Sequence, residues 1–356
     1  MKINNMKKRT NQNFIYLFIL LITCITLGMS SKSYAQGDLP EIEEEKGNHK
    51  SKDELSYKVL YDEPDSLYRF FFTVHALSAE FGGMNNVFGY GFQANYFHKK
   101  HWAFQASLRL PYTKSLDTER KTASQTSIAS NQPRSFYFGE VIGTYHISDQ
   151  SLYGHTRLVP HGRHIAHQEW ATSVATHIRI PALVRTILGV RAGGYMWQTT
   201  FNAKDVAQRQ NISLNAGENL ALDLNKPVFT NFNSTGFIIG GSYTQIRNIF
   251  IKPEGFDPVG NVHKITFYTD ILLSPFMSVE DVTYVGRTYR TDTIDLKNIG
   301  SRAGIMGLFN RHWGWSYNGE FGWRPAPTGK NFYFMAKIGF TIAEHLKHRR
   351  KSFEMN

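Results

Sequence analysis

Residues 102–112 run Trp102-Ala103-Phe104-Gln105-Ala106-Ser107-Leu108-Arg109-Leu110-Pro111-Tyr112. The even positions are apolar or aromatic throughout, while Gln105, Ser107 and Arg109 fall on odd ones. Successive side chains of a strand point to opposite faces, so this stretch predicts one strand with an apolar face and a polar face. A soluble strand averages about five or six residues. This one has the length of a strand that crosses a bilayer, roughly 9–11 residues, with an aromatic at each end.

The same pattern extends in both directions. Phe88, Tyr90, Phe92, Ala94 and Tyr96 alternate with Gly89, Gly91, Gln93 and Asn95. Trp313, Trp315, Tyr317, Phe321 and Trp323 oppose Ser316, Asn318, Glu320 and Arg324. Phe332, Phe334, Ala336, Ile338, Phe340 and Ile342 oppose Tyr333, Lys337, Gly339 and Thr341. These repeats predict an all-β chain, a transmembrane antiparallel β-barrel of about 12 strands, with 10–14 compatible. The strands are expected near 70–80, 87–98, 102–112, 135–147, 152–159, 169–180, 184–200, 234–246, 263–273, 299–309, 313–324 and 332–343. Short turns then fall at 99–101, 148–151, 181–183 and 310–312, and long loops at 113–134, 201–233 and 274–298. Both chain ends lie on the short-turn side, as barrels of this kind arrange them. The connection 247–262 is awkwardly long for that side.

Composition agrees. The 356 residues include 26 Phe, 18 Tyr, 6 Trp and 29 Gly. The mean hydropathy of −0.36 excludes a bundle of membrane helices but not alternating strands. A single Cys excludes a disulfide scaffold or a multi-thiolate zinc site. The glycines, such as Gly240 and Gly304, sit within strands and suit a tightly curved barrel.

Lys2, Lys7, Lys8 and Arg9 precede the largely apolar run Phe14–Met29, and Ser33-Tyr34-Ala35 ends it with small residues. This predicts a signal peptide over 1–35. Cys24 is a poor lipoprotein cysteine, because Ile25, Leu27 and Met29 continue the apolar core past it. Removing the five basic residues of 1–35 lowers the formal net charge from +11 to +6, which weakens any nucleic-acid reading. Residues 36–67, with Glu41, Glu43, Glu44 and Glu45, predict a flexible acidic lead-in. The barrel occupies 68–343, and a basic tail follows at 344–356.

On this architecture, the signal, the two-residue repeats, the aromatic ends and the aromatic-rich last strand, the chain resembles a Gram-negative outer-membrane β-barrel protein. The resemblance implies an integral location in the outer membrane, both termini periplasmic, with lipid around the barrel. It also implies insertion by the barrel-assembly machinery, which reads a final strand such as Phe332–Ala343. The thirteen residues that follow depart from that pattern. With 36–67 they form the natural contacts for envelope partners.

The polar faces place Arg109, Arg179, Arg185, Arg191, Lys264, Arg302, Arg324 and Lys337 inside, with Asp270 and Glu320. Such a lining serves either an anion-preferring pore or a network of ion pairs that closes the lumen. His146-Ile147-Ser148 puts an imidazole and a hydroxyl on one face of a regular strand, the geometry of a lipid hydrolase. His155, His161, His164 and His167 form the densest imidazole cluster, a weak metal candidate in which His161, His164 and His167 are central. There is no Walker loop, dinucleotide fingerprint or H-E-x-x-H, so no cofactor is expected. The sequence thus predicts a non-enzymatic barrel, an accessory or structural envelope subunit or a narrow solute channel. The alternative is a hydrolase using His146 and Ser148.

Overall fold

The computed structural model describes residues 56–64, 70–98, 101–158, 178–214, 227–253, 258–310 and 314–343. The chain forms β1 (Tyr57–Asp62), then β2 (Phe70–Gly82), β3 (Asn85–Phe97) and β4 (Trp102–Pro111). A short 3-10 turn and α1 (Thr118–Thr126) lead to β5 (Tyr137–Leu158) and β6 (Ile178–Asn202). Next come α2 (Ala203–Gln210), β7 (Phe229–Pro253), β8 (Val259–Val279) and the small strands β9 (Val282–Tyr284), β10 (Arg287–Tyr289) and β11 (Leu296–Lys297). The chain closes with β12 (Ile299–Asn310), β13 (Gly314–Trp323), β14 (Ala326–Pro327) and β15 (Phe332–Ala343).

Ten of these strands pair with their neighbours in sequence, all antiparallel, and β15 pairs back with β2 to close a barrel. The expected all-β barrel is therefore the fold, with ten strands rather than about twelve. The two surplus strands come from apparent breaks that are not turns. Residues 148–151 continue β5, which absorbs an extra residue as a bulge between His146 and Ser148. Pro181 lies within β6, at a level where β6 is paired with β5 alone. A sheet edge is the place where a missing N–H is tolerated. The awkward 247–262 connection is largely strand as well.

We call the end where β2 begins and β15 finishes the base, and the opposite end the mouth. At the base β6 and β7 part below Arg185 and Ile246, and β1 fills the fork by pairing with Ile249–Pro253 of β7. The Asp62 carboxylate accepts the Leu183 N–H of β6, joining both arms. Leu158, Ile180, Ala182, Ile249, Ile251 and Val259 bury a small core below the barrel proper. Residues 57–62, expected within a flexible lead-in, are thus paired strand.

At the mouth the expected long loops carry ordered structure. Asp117 caps α1 through the Arg120 N–H and also accepts the Phe136 N–H. Burial holds its carboxyl above the usual range while both bonds pull it down. Asn202 caps α2, and Gln210 clamps it to Asp295 and Thr328. Val206, Ala207, Leu214, Val282, Tyr289 and Ile294 pack onto inward side chains of the strands, among them Phe138, Trp197, Phe201 and Phe232. The cap is a hydrophobic core seated in the barrel mouth. One tight connection lies beneath it: Gly82 and Gly83 turn β2 into β3 with φ of +102° and +57°, and a Cβ at Gly83 would lie 2.5 Å from the Lys330 carbonyl. Only glycine fits there.

Phe232 is fully buried between Trp197 and Phe201. Phe232→Ala should lower stability by about 3–5 kcal/mol. Denaturant titration would measure the loss, and limited proteolysis should find cleavage within 203–214 and 282–296 accelerated.

Candidate functional site

Among the described residues, most of the buried charged side chains converge in the barrel interior. Alternation brings Arg109, Arg191, Lys264, Asp270, Arg302, Glu320, Arg324 and Lys337 inside from six strands. Arg185 also points inward, close to the base, and pairs with Asp149 through Nε–Oδ1 at 2.7 Å. Arg179 is exposed on the extension of β6 below the barrel and is not part of the lining.

Two glutamates complete the constellation, and the alternation pattern does not reveal either simply. Counting in twos from Phe71 turns Glu80 outward. A bulge at Ala76 and Leu77 shifts the parity, so His75 and Glu80 both face in. The Tyr112 hydroxyl donates to the Ala76 carbonyl in that bulge. The Glu140 stretch is obscured because Phe138 and Ile142 share its inward face with it.

These groups form one continuous layer at mid-height. Arg109 Nη1 donates to Glu80 Oε2 at 2.6 Å, and Arg324 grips the same carboxylate with Nη2–Oε2 at 2.8 Å. Asn85 donates to Glu80 and accepts from the Thr199 hydroxyl. Arg302 is the hub. It reaches Asp270 at 2.9 Å, Glu140 at 2.8 Å and Glu320 at 3.1 Å. Arg191 holds Asp270 from the other side with bonds of 3.0 and 3.3 Å. The Tyr268 and Tyr333 hydroxyls donate to Glu320 at 2.7 and 2.6 Å. Lys337 is buried among them, with Glu140 and Glu320 as the carboxylates that act on it. The guanidinium planes also lie over aromatic rings, Arg109 on Phe138 at 4.1 Å, Arg191 on Tyr268 at 4.3 Å and Arg324 on Tyr333 at 3.8 Å. Planar forks and ring faces suit arginine far better than lysine.

Glycines make the room. A Cβ at Gly240 would lie 2.2 Å from Asp270 Oδ1, and one at Gly304 would lie 2.5 Å from the Tyr268 ring.

Below the layer, Phe71, Phe97, Ile187, Ile246, Val262 and Leu308 form an apolar plug toward the base. Between layer and plug lies a chamber of about 40 Å³. From base to mouth the interior is therefore plug, chamber, ionic layer and apolar cap.

The hydrolase arrangement does not form. His146 pairs opposite Gly189, which faces inward, and its ring rests on Phe97 at 5.1 Å. Ser148 pairs opposite Leu188, on the outward face. The extra residue Ile147 separates the two side chains across the sheet, a reversal that the bare H-x-S spacing cannot register. His155 is exposed, while His161, His164 and His167 lie outside the described residues. Among the described residues no group of three or more His, Cys, Asp or Glu side chains is placed to hold a metal.

The fold and this interior define a closed, side-chain-filled antiparallel β-barrel. No protein-family model matches the chain, and neither does any curated protein.

Arg302→Met should leave Glu140, Glu320 and Asp270 under-compensated in a buried site and destabilise the barrel by about 3–5 kcal/mol. Arg302→Lys should recover only part of the loss, because one ammonium cannot reproduce the fork. Unfolding titrations of the three proteins in one detergent would establish the order.

Proposed function

We propose that this chain is an integral outer-membrane β-barrel of a Gram-negative bacterium, non-enzymatic, serving as a structural or accessory subunit of an envelope assembly rather than as an open channel. The observation that carries the membrane half of this reading is the exterior. Outward positions expose Phe88, Phe92, Phe104, Val141, Ile239, Phe267, Phe321, Phe334, Ile338 and Phe340 around the barrel, a surface that water would not stabilise. Aromatics border it at both levels: Trp102, Tyr145 and Trp315 toward the base, Tyr112, Trp323 and Phe332 toward the mouth. Trp102 and Tyr112 are ten residues apart, which at about 3.3 Å per residue and a tilt of ~40° spans roughly 25 Å, the height of the apolar band in such barrels. Among the described residues no helix is long and apolar enough to cross a membrane, so crossing falls to the strands. The signal-like 1–35 supports export.

The closed interior favours the accessory role over conduction. Ionic layer, plug and cap each obstruct the bore, and an ion would have to displace packed apolar side chains at two levels. Envelope partners would bind through the segments 36–67 and 344–356, and neither nucleic acid nor cofactor enters this reading.

Two measurements test it. Ile338, half-exposed at mid-strand, should tolerate Arg poorly: Ile338→Arg should cost about 2–4 kcal/mol in bilayers. A near-neutral effect would mean that this face meets water. Purified protein in planar bilayers should give no resolvable single-channel steps, while native extraction in mild detergent should return a discrete set of envelope proteins. Stable unitary conductance from the lone barrel would replace the accessory reading by the channel.

A further inference from the structure

Each interior arginine described above is met by a carboxylate: Arg109 and Arg324 share Glu80, Arg191 and Arg302 share Asp270, and Arg185 has Asp149. Lys337 makes no ion pair among the described residues but stands within the ionic layer, with Glu140 and Glu320 as well as Arg109 and Arg302 around it. Lys264 differs. It projects inward from β8 two residues beyond Val262 of the plug, with its Nζ 4.6 Å from the centre of the Phe97 ring. Among the described residues it makes no ion pair and no hydrogen bond to a protein acceptor. The charged group that acts on it is another cation, Arg185, which sits 5.6 Å over the same ring.

The space in front of Lys264 is the chamber between plug and ionic layer. Its polar walls include Asn95, Gln105, Thr144, His146, Arg191, Ser242, Thr244 and Thr266, and among the described residues no Asp or Glu lines it. Phe97 and Ile187 are its apolar walls toward the plug. Lys264 is part-buried, and a cation in such a place with no counter-charge among the described residues is disfavoured. The amides and hydroxyls can turn donors toward a ligand, and the positive charge of Lys264 and Arg191 on the described walls favours an anion over a second cation. The volume of about 40 Å³ is too small for a phosphorylated metabolite and sufficient for a monovalent ion with a water or two.

We infer that this chamber is a binding site for a small inorganic anion of halide size, with Lys264 as its charged ligand and the surrounding amides and hydroxyls as donors. The anion supplies Lys264 with a counter-charge. It is enclosed between two packed layers, so it exchanges slowly and acts as a structural component, not a transported solute. The inference concerns the interior alone and stands whether or not the barrel resides in a membrane.

Crystals of the full-length protein grown with sodium bromide, measured at the bromine absorption edge, should carry an anomalous peak in the chamber in contact with Lys264 Nζ. A well-ordered chamber without that peak overturns the proposal. Lys264→Met should abolish the peak and Lys264→Arg should retain it; a peak that survives in Lys264→Met equally overturns it. In detergent at fixed ionic strength, replacing gluconate by bromide should raise the thermal midpoint of the wild-type protein and leave Lys264→Met unmoved. Equal shifts in the two proteins would show that the anion acts elsewhere.

Discussion

The structure depends on filling the inside of a ten-stranded barrel with the strands' own side chains. Eight strands enclose a space that ordinary side chains just occupy, and ten enclose more. Strand alternation fixes which residues point in, so that space must be filled by the side chains on alternate positions. Long residues are needed at the centre, and the long residues with firm mutual geometry are arginine, glutamate and tyrosine. Placing them there buries charge, which is tolerable only when each guanidinium finds a carboxylate and each carboxylate its donors. Arg302, with three carboxylates, and Glu80, with two arginines, meet that condition. The glycines at 240 and 304 follow from it, because the network occupies the volume their side chains would take.

Much of this was legible in the sequence, since two-residue periodicity survives any tertiary context that keeps one face apolar. The barrel, its outward aromatics and most of its inward cations follow from counting in twos. What escaped was whatever breaks the count. A bulge in β2 brings Glu80 inside, and a bulge in β5 sends Ser148 out while disguising a continuous strand as two. Pro181 looked like a turn because sequence does not show that β6 runs as an edge there. The cap was invisible for another reason. Val206, Leu214, Val282 and Ile294 are scattered over two connections and become one core only when the strands bring those connections together.

The two ends have different characters. The mouth is sealed by a hydrophobic core with capped helices and clamped loops, while the base opens into a fork that a seventh and a first strand jointly complete. The ionic network of the barrel lies between the plug and the apolar cap.

The pairing of β1 with β7 also bears on how the chain reaches its final form. Closing the barrel requires the first and last barrel strands to meet, and the contact between Thr73 and Thr341 spans 268 positions along the chain. Once β1 has docked on β7, the path between the same two residues runs through that contact and shortens to roughly 100 residues, which lowers the entropic cost of the last closure by about 1 kcal/mol. A six-residue strand outside the barrel would thus act as a mid-course tether, holding the start of the chain beside its centre until the end arrives.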